Sequence, residues 1–137
     1  MLVVADSSPI IALINIARIE ILPKLFGEVV VPPEVSAELA RPNRPHAVQQ
    51  FIDSPPSWLV EKRPAEIEQI PLLHAGELAA MSLARELKAD LLLMDEMLGR
   101  KAAAERGLRY TGTIGIIELA AGQGLLDLWE TFDRVKK

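Results

Sequence analysis

The sequence predicts an α/β fold, a central parallel sheet covered by helices in a three-layer α/β/α sandwich, on three observations. Apolar runs of strand length alternate with helical patterns from one end of the chain to the other. The run Leu91-Leu92-Leu93-Met94 is apolar at every position, as a central parallel strand buried on both faces must be. At 137 residues, half of them hydrophobic, the chain suits one domain over residues 1–137, burying roughly two-thirds of its unfolded surface.

The elements follow in order. Leu2 to Ala5 is the first strand, and Pro9 to Ala17 carries a helical pattern with Ser7 or Ser8 as N-cap and Pro9 in the first turn. A short helix over Glu20–Phe26 holds Pro23 in its first turn and is ended by Gly27. Glu28 to Val31 is the second strand; Pro32-Pro33 stops it and starts a helix around Glu34 to Ala40. Prolines at 42, 45, 55, 56 and 64 bracket a helix at His46 to Asp53 with irregular chain. Trp58 to Val60 is the third strand, and polar, proline-broken Lys62 to Leu73 reads as a loop. From Ala75 to Leu87, residues Ala80, Leu83, Ala84 and Leu87 recur at i, i+3, i+4, i+7, the stripe of an amphipathic helix. After the strand at 91–94, Asp95 ends the run and Met97 to Arg106 forms a helix stopped by Gly107. A strand near Leu108 to Tyr110, a helix from Thr113 to Ala121 closed by Gly122, and a final helix at 125–135 complete the chain.

Composition narrows the function. No cysteine is present, which removes disulfides and thiolate metal sites and suits a reducing compartment, with the cytoplasm the expected location. No segment approaches the ~20 apolar residues of a membrane span, and the first residues lack the pattern of a signal peptide. A formal charge of −4 offers no bulk positive field for nucleic acid. It leaves an RNA substrate open, because clustered acids that hold divalent cations present a phosphate with a different field.

Two of the best strands share one design: an unbroken apolar run followed at once by an aspartate, Asp6 or Asp95. In an open parallel sheet the carboxyl ends of the strands lie on one edge, so both aspartates project there, and they meet if the two strands are neighbours. Glu77 lies at i, i+3, i+4, i+7 with Ala80, Met81 and Ala84 on the inward side of its helix, while Glu86 lies half a revolution away. Glu38 stands at the border of an apolar face shared with Val35 and Leu39. Converging carboxylates repel unless a cation neutralises them. Oxygen-only ligands select Mg²⁺ or Mn²⁺ over Zn²⁺, and such a site activates water against a phosphodiester, with Ser7 and Ser8 placed to orient that water.

Each acid also has a plainer role. Asp6 and Asp95 suit turns and helix caps, Glu77 complements its helix dipole, and Glu38 suits a solvated position. His46 and His74 lie in proline-flanked stretches and read as surface residues rather than ligands. Other chemistries fail on the same residues. A haloacid-dehalogenase-type phosphatase needs an aspartate where Ser8 stands, a receiver domain needs adjacent acids after the first strand, and no GxxxxGK or GxGxxG is present.

The stretches "VVADSSPIIALINI", "VVVPPEVSAEL", "HAGELAAMSLARELKADLLLMDEMLGRKAAAERGL" and "YTGTIGIIELAAGQGLL" together resemble the PIN-domain proteins. This is the ribonuclease superfamily of the VapC-like toxins of prokaryotic toxin–antitoxin pairs; the chain is most similar to its compact group of unassigned function. The resemblance implies a parallel sheet of order 3-2-1-4-5 and an acidic pocket that binds Mg²⁺ or Mn²⁺ and hydrolyses RNA. The family's catalytic acids fall on Asp6, Glu38, Glu77 and Asp95, with Asp6, Glu77 and Asp95 on the metal, Glu96 the only residue for a further acid, and Arg100 a candidate for substrate phosphate beside its plainer reading as a solvated helix arginine. It also implies a small antitoxin-like partner and a homodimer, for which "GLLDLWETF" offers apolar surface; the alternative for Leu126 and Trp129 is a place in the core. The alternative within the fold is a non-catalytic PIN-like module that works by binding a protein partner or a second copy.

Overall fold

A computed structural model describes residues 1–136. Five short parallel strands form one sheet: β1 (Val3–Ala5), β2 (Val29–Val31), β3 (Leu59–Glu61), β4 (Leu91–Leu93) and β5 (Tyr110–Thr111). Their order is β3-β2-β1-β4-β5, the order that the resemblance implies. Val3, Val4 and Ala5 pair with Leu91, Leu92 and Leu93, so β1 and β4 are neighbours and Asp6 and Asp95 leave the same edge.

The helices of the described residues are α1 (Ser7–Asn15), α2 (Ile21–Phe26), α3 (Pro33–Leu39), α4 (His46–Asp53), α5 (Ala75–Glu86), α6 (Met97–Glu105), α7 (Thr113–Gly122) and α8 (Leu128–Lys136). The chain steps outward from β1 through β2 to β3, then crosses back to β4 and β5. Right-handed crossovers therefore place α1 to α4 on one face of the sheet and α5 and α6 on the other. The core lies between them, with Val3, Val4, Ala5, Val29 to Val31, Leu92, Leu93 and Met94 buried in the sheet against Ile10, Leu13, Met81 and Leu83 of the helices. At the carboxyl end of the strands α3 and α5 pack against each other, closing one side of the groove that opens above β1.

Three expectations shift. The helix after β1 begins at Ser7, with Asp6 rather than a serine at the N-cap, and ends at Asn15 because Ala17 adopts a left-handed φ of 58° while Arg18 N–H closes onto Leu13 O. The helix at 75–86 is not a one-sided amphipath: every residue from Gly76 to Ala84 is buried. Its outer side is covered by the segment 62–74, in which Pro64 is buried and Glu68 N–H donates to Ser82 Oγ at 2.9 Å. That polar segment is strapped down by charge, with Glu68 paired to Arg85 and Arg106; these guanidiniums, Arg106 first, hold its carboxyl below the usual range. The last helix starts at Leu128 rather than 125, after Gly124 at φ 73°. Leu126 packs on the core while Trp129 is 78% exposed.

Candidate active site

The residue after β1 decides the site. Asp6 N–H donates to Leu93 O at 3.0 Å, which fixes its backbone between β1 and β4 and turns its side chain into the space above the sheet. Only 2% of Asp6 is exposed. Although it occupies the N-cap position of α1, its side chain makes no capping hydrogen bond, and its Oδ1 is buried with no partner. Burial first, and then the negative charges of Glu38, Glu77 and Asp95, raise its carboxyl from an ordinary 3.8 to about 7, against the pull of the Ser7 backbone N–H.

A cavity of about 470 Å³ opens in front of it. Asp6, Ser7 and Ser8 form its floor; α3 contributes Glu34 and Glu38, and Arg41 follows just past its end; His74 and Glu77 enter from the start of α5, and Glu96 from the start of α6. The lining thus holds five carboxylates, Asp6, Glu34, Glu38, Glu77 and Glu96, against one arginine. Ser7 Oγ donates to Glu38 Oε2 at 2.8 Å, which leaves Glu38 Oε1 buried and unpartnered, as is Glu34 Oε1. Glu77, 5% exposed, gives one oxygen to its own helix: His74 N–H donates to Glu77 Oε1 at 2.8 Å, the dipole-complementing role that its place in the first turn allows.

The other aspartate has a different environment. Asp95 accepts from the Thr113 backbone N–H at Oδ1 and from Thr113 Oγ1 at Oδ2, both at 2.7 Å, and Arg100 Nη2 lies 3.7 Å from Oδ1. It caps a helix, but α7 rather than α6 next to it in sequence, whose N-cap is Glu96. Arg100 in turn donates from Nε to Met94 O at 2.9 Å. Neither Asp95 nor Arg100 lines the cavity. Gly112 makes room for this arrangement, since a Cβ there would fall 1.8 Å from Arg100 Nη2 and 2.5 Å from Asp95 Oδ1.

The cavity therefore brings together Asp6, Ser7, Ser8, Glu38, Glu77 and Glu96 of the residues the sequence singles out, and leaves Asp95 and Arg100 at its side. It adds Glu34, four residues before Glu38 and so on the same face of α3, Arg41, two residues past the end of that helix, and His74, which the sequence reads as a surface residue. His74 is exposed, yet it stands at the cavity wall as the N-cap of α5. His46 opens α4 and is exposed, as read.

The donor set suits a hard divalent cation in chemistry, with only carboxylate and hydroxyl oxygens on the floor and three buried carboxylate oxygens lacking any partner. Among the described residues, no three His, Cys, Asp or Glu side chains converge closely enough to hold an ion as they stand. Fit is thus one of donor type and unmatched charge, and closing on an ion requires side chains to rotate inward.

A family model described as a PIN domain matches residues 2–137. Among curated proteins, none matches the sequence.

Proposed function

The chain belongs to the PIN-domain family, and from that premise and the acidic cavity we propose that it is a metal-dependent ribonuclease working with Mg²⁺ or Mn²⁺. The observation that carries the reading is Asp6: a carboxylate held almost completely out of water, facing other acids, with one oxygen unpartnered. A protein gains no stability from such a group, and the arrangement becomes favourable once positive charge enters.

Asp6, Glu38 and Glu77 would hold the cation, with Asp95 adding its charge from the side. When bound, a divalent cation polarises a phosphodiester and acidifies water. The chain's own residues do the remaining work. Ser7 keeps Glu38 oriented through the 2.8 Å bond to Oε2, and its hydroxyl and that of Ser8 face the cavity where a water is to be aligned. Glu34, with a free Oε1, adds an acceptor on the same side. Arg41, exposed at the cavity wall, offers a guanidinium to the phosphate of an incoming strand. The buried helix α5 closes the side of the cavity from which Glu77 enters.

The test is cleavage of a panel of labelled RNAs by purified protein with Mn²⁺, Mg²⁺ or EDTA, beside Asp6→Asn and Asp95→Asn made in parallel. Cutting that needs metal and is lost in Asp6→Asn supports the reading; cutting retained in that variant, or in EDTA, overturns it. A second reading, a PIN module that acts by binding a small antitoxin-like protein or a second copy, draws on the engaged oxygens of Asp95 and the unconverged ligands. It predicts a folded protein without cleavage under any metal.

A further inference from the structure

Gly76 is out of place as a helix residue. It sits in the first turn of α5, buried, beside Glu77, and its backbone has no left-handed φ that calls for glycine. Alanine is the better helix former there, so a cost in helix stability is being accepted for some other reason. The reason is space: a Cβ on Gly76 would lie 1.5 Å from Glu38 Oε1 and 2.7 Å from Glu38 Cδ. The Glu38 carboxylate, reaching across from α3, lies directly over the bare Cα.

We infer that Gly76 is a positioning residue, whose missing side chain forms the seat that keeps the Glu38 carboxylate in the cavity beside Ser7. The inference rests on the proposed role of Glu38 in holding the cation. The atom that a Cβ would displace is the far end of a flexible side chain, so the fold survives substitution and the carboxylate moves. Its movement breaks the bond from Ser7 Oγ and withdraws the free Oε1 from the cation side of the cavity.

The experiment is a double-mutant cycle: wild type, Gly76→Ala, Glu38→Ala and the pair, each titrated with Mn²⁺ by calorimetry and melted without metal. Gly76→Ala is expected to weaken Mn²⁺ binding by about tenfold or more, the scale of losing an orienting partner of a metal site, and to cause no further loss in the Glu38→Ala background. Unchanged affinity in Gly76→Ala, or an equal fall in both backgrounds, overturns the inference. If wild type binds no Mn²⁺, the proposed function fails while the seat itself is still read by melting. Alanine at 76 then raises the melting temperature more in the Glu38→Ala background than in wild type if the two groups collide, and equally in both if they do not.

Discussion

Asp6 and Asp95 follow neighbouring strands of identical design, yet they meet opposite environments. Asp6 is buried, uncapped and short of a partner, with its carboxyl raised to about 7. Asp95 has both oxygens bonded to Thr113 and a guanidinium alongside. The same local sequence thus yields one carboxylate that strains against its surroundings and one that is satisfied by them. An acid that lowers stability where it stands is a stronger pointer to chemistry than an acid that caps a helix.

The largest break in that contrast comes from charge removal at Asp6. Asp6→Asn is expected to lower Mn²⁺-dependent cleavage by more than the roughly 10–100-fold typical of removing an outer partner of a metal ligand, measured as initial rates on a cleaved RNA. The same change should raise the melting temperature of the metal-free protein at pH 8 by several degrees, because it deletes a buried charge. Function and stability move in opposite directions at this position.

Stability against pH sharpens the point. Asp6 has a folded value of about 7 against an ordinary 3.8, so its proton is bound more tightly in the folded state. Its favourable contribution is fully present below about pH 3.8 and is lost as pH rises to about 7, on the order of 4 kcal/mol in all. Denaturant titrations of wild type and Asp6→Asn should diverge across that window, with the variant the more stable at its upper end.

At Asp95 the sign reverses. Asp95→Ala removes the cap of α7 and should cost about 1 kcal/mol, read as a melting temperature lower by a few degrees at pH 7. Arg100→Gln should cost no more than that: its partly exposed ion pair at 3.7 Å contributes roughly 0–1 kcal/mol and its bond to Met94 O about 0.5–1 kcal/mol, so the melting temperature should fall by at most a few degrees.

Strand and helix order was legible in the sequence because apolar periodicity is a local property; α4, between its prolines, runs over the His46–Asp53 range that the pattern gives. Asp6 and Asp95 could be placed on one edge for the same reason, since parallel strands share a direction. What periodicity could not show is tertiary. Thr113 lies 18 residues from Asp95, and no spacing rule joins them. Segment 62–74 is the loop its polarity indicates, but the ion pairs that hold it, from Glu68 to Arg85 on α5 and to Arg106 at the end of α6, join residues far apart in the chain. Burial of α5 on nearly all sides depends on that strap, so its amphipathic pattern understated it. Glu34 was within reach of face arithmetic on α3, whereas Arg41 lies past that helix and Gly76 becomes informative only when Glu38 is seen above it.

The central claim is that the unmatched Asp6 carboxylate exists to meet a cation, and calorimetric Mn²⁺ titration at pH 6.5 in buffers of different ionisation enthalpy tests it most directly. Asp6 is partly protonated there, so the account predicts binding by wild type with release of a substantial fraction of a proton, and neither binding of that strength nor that release in Asp6→Asn. Mn²⁺ binding of equal affinity in the variant, or binding by wild type without proton release, would contradict it.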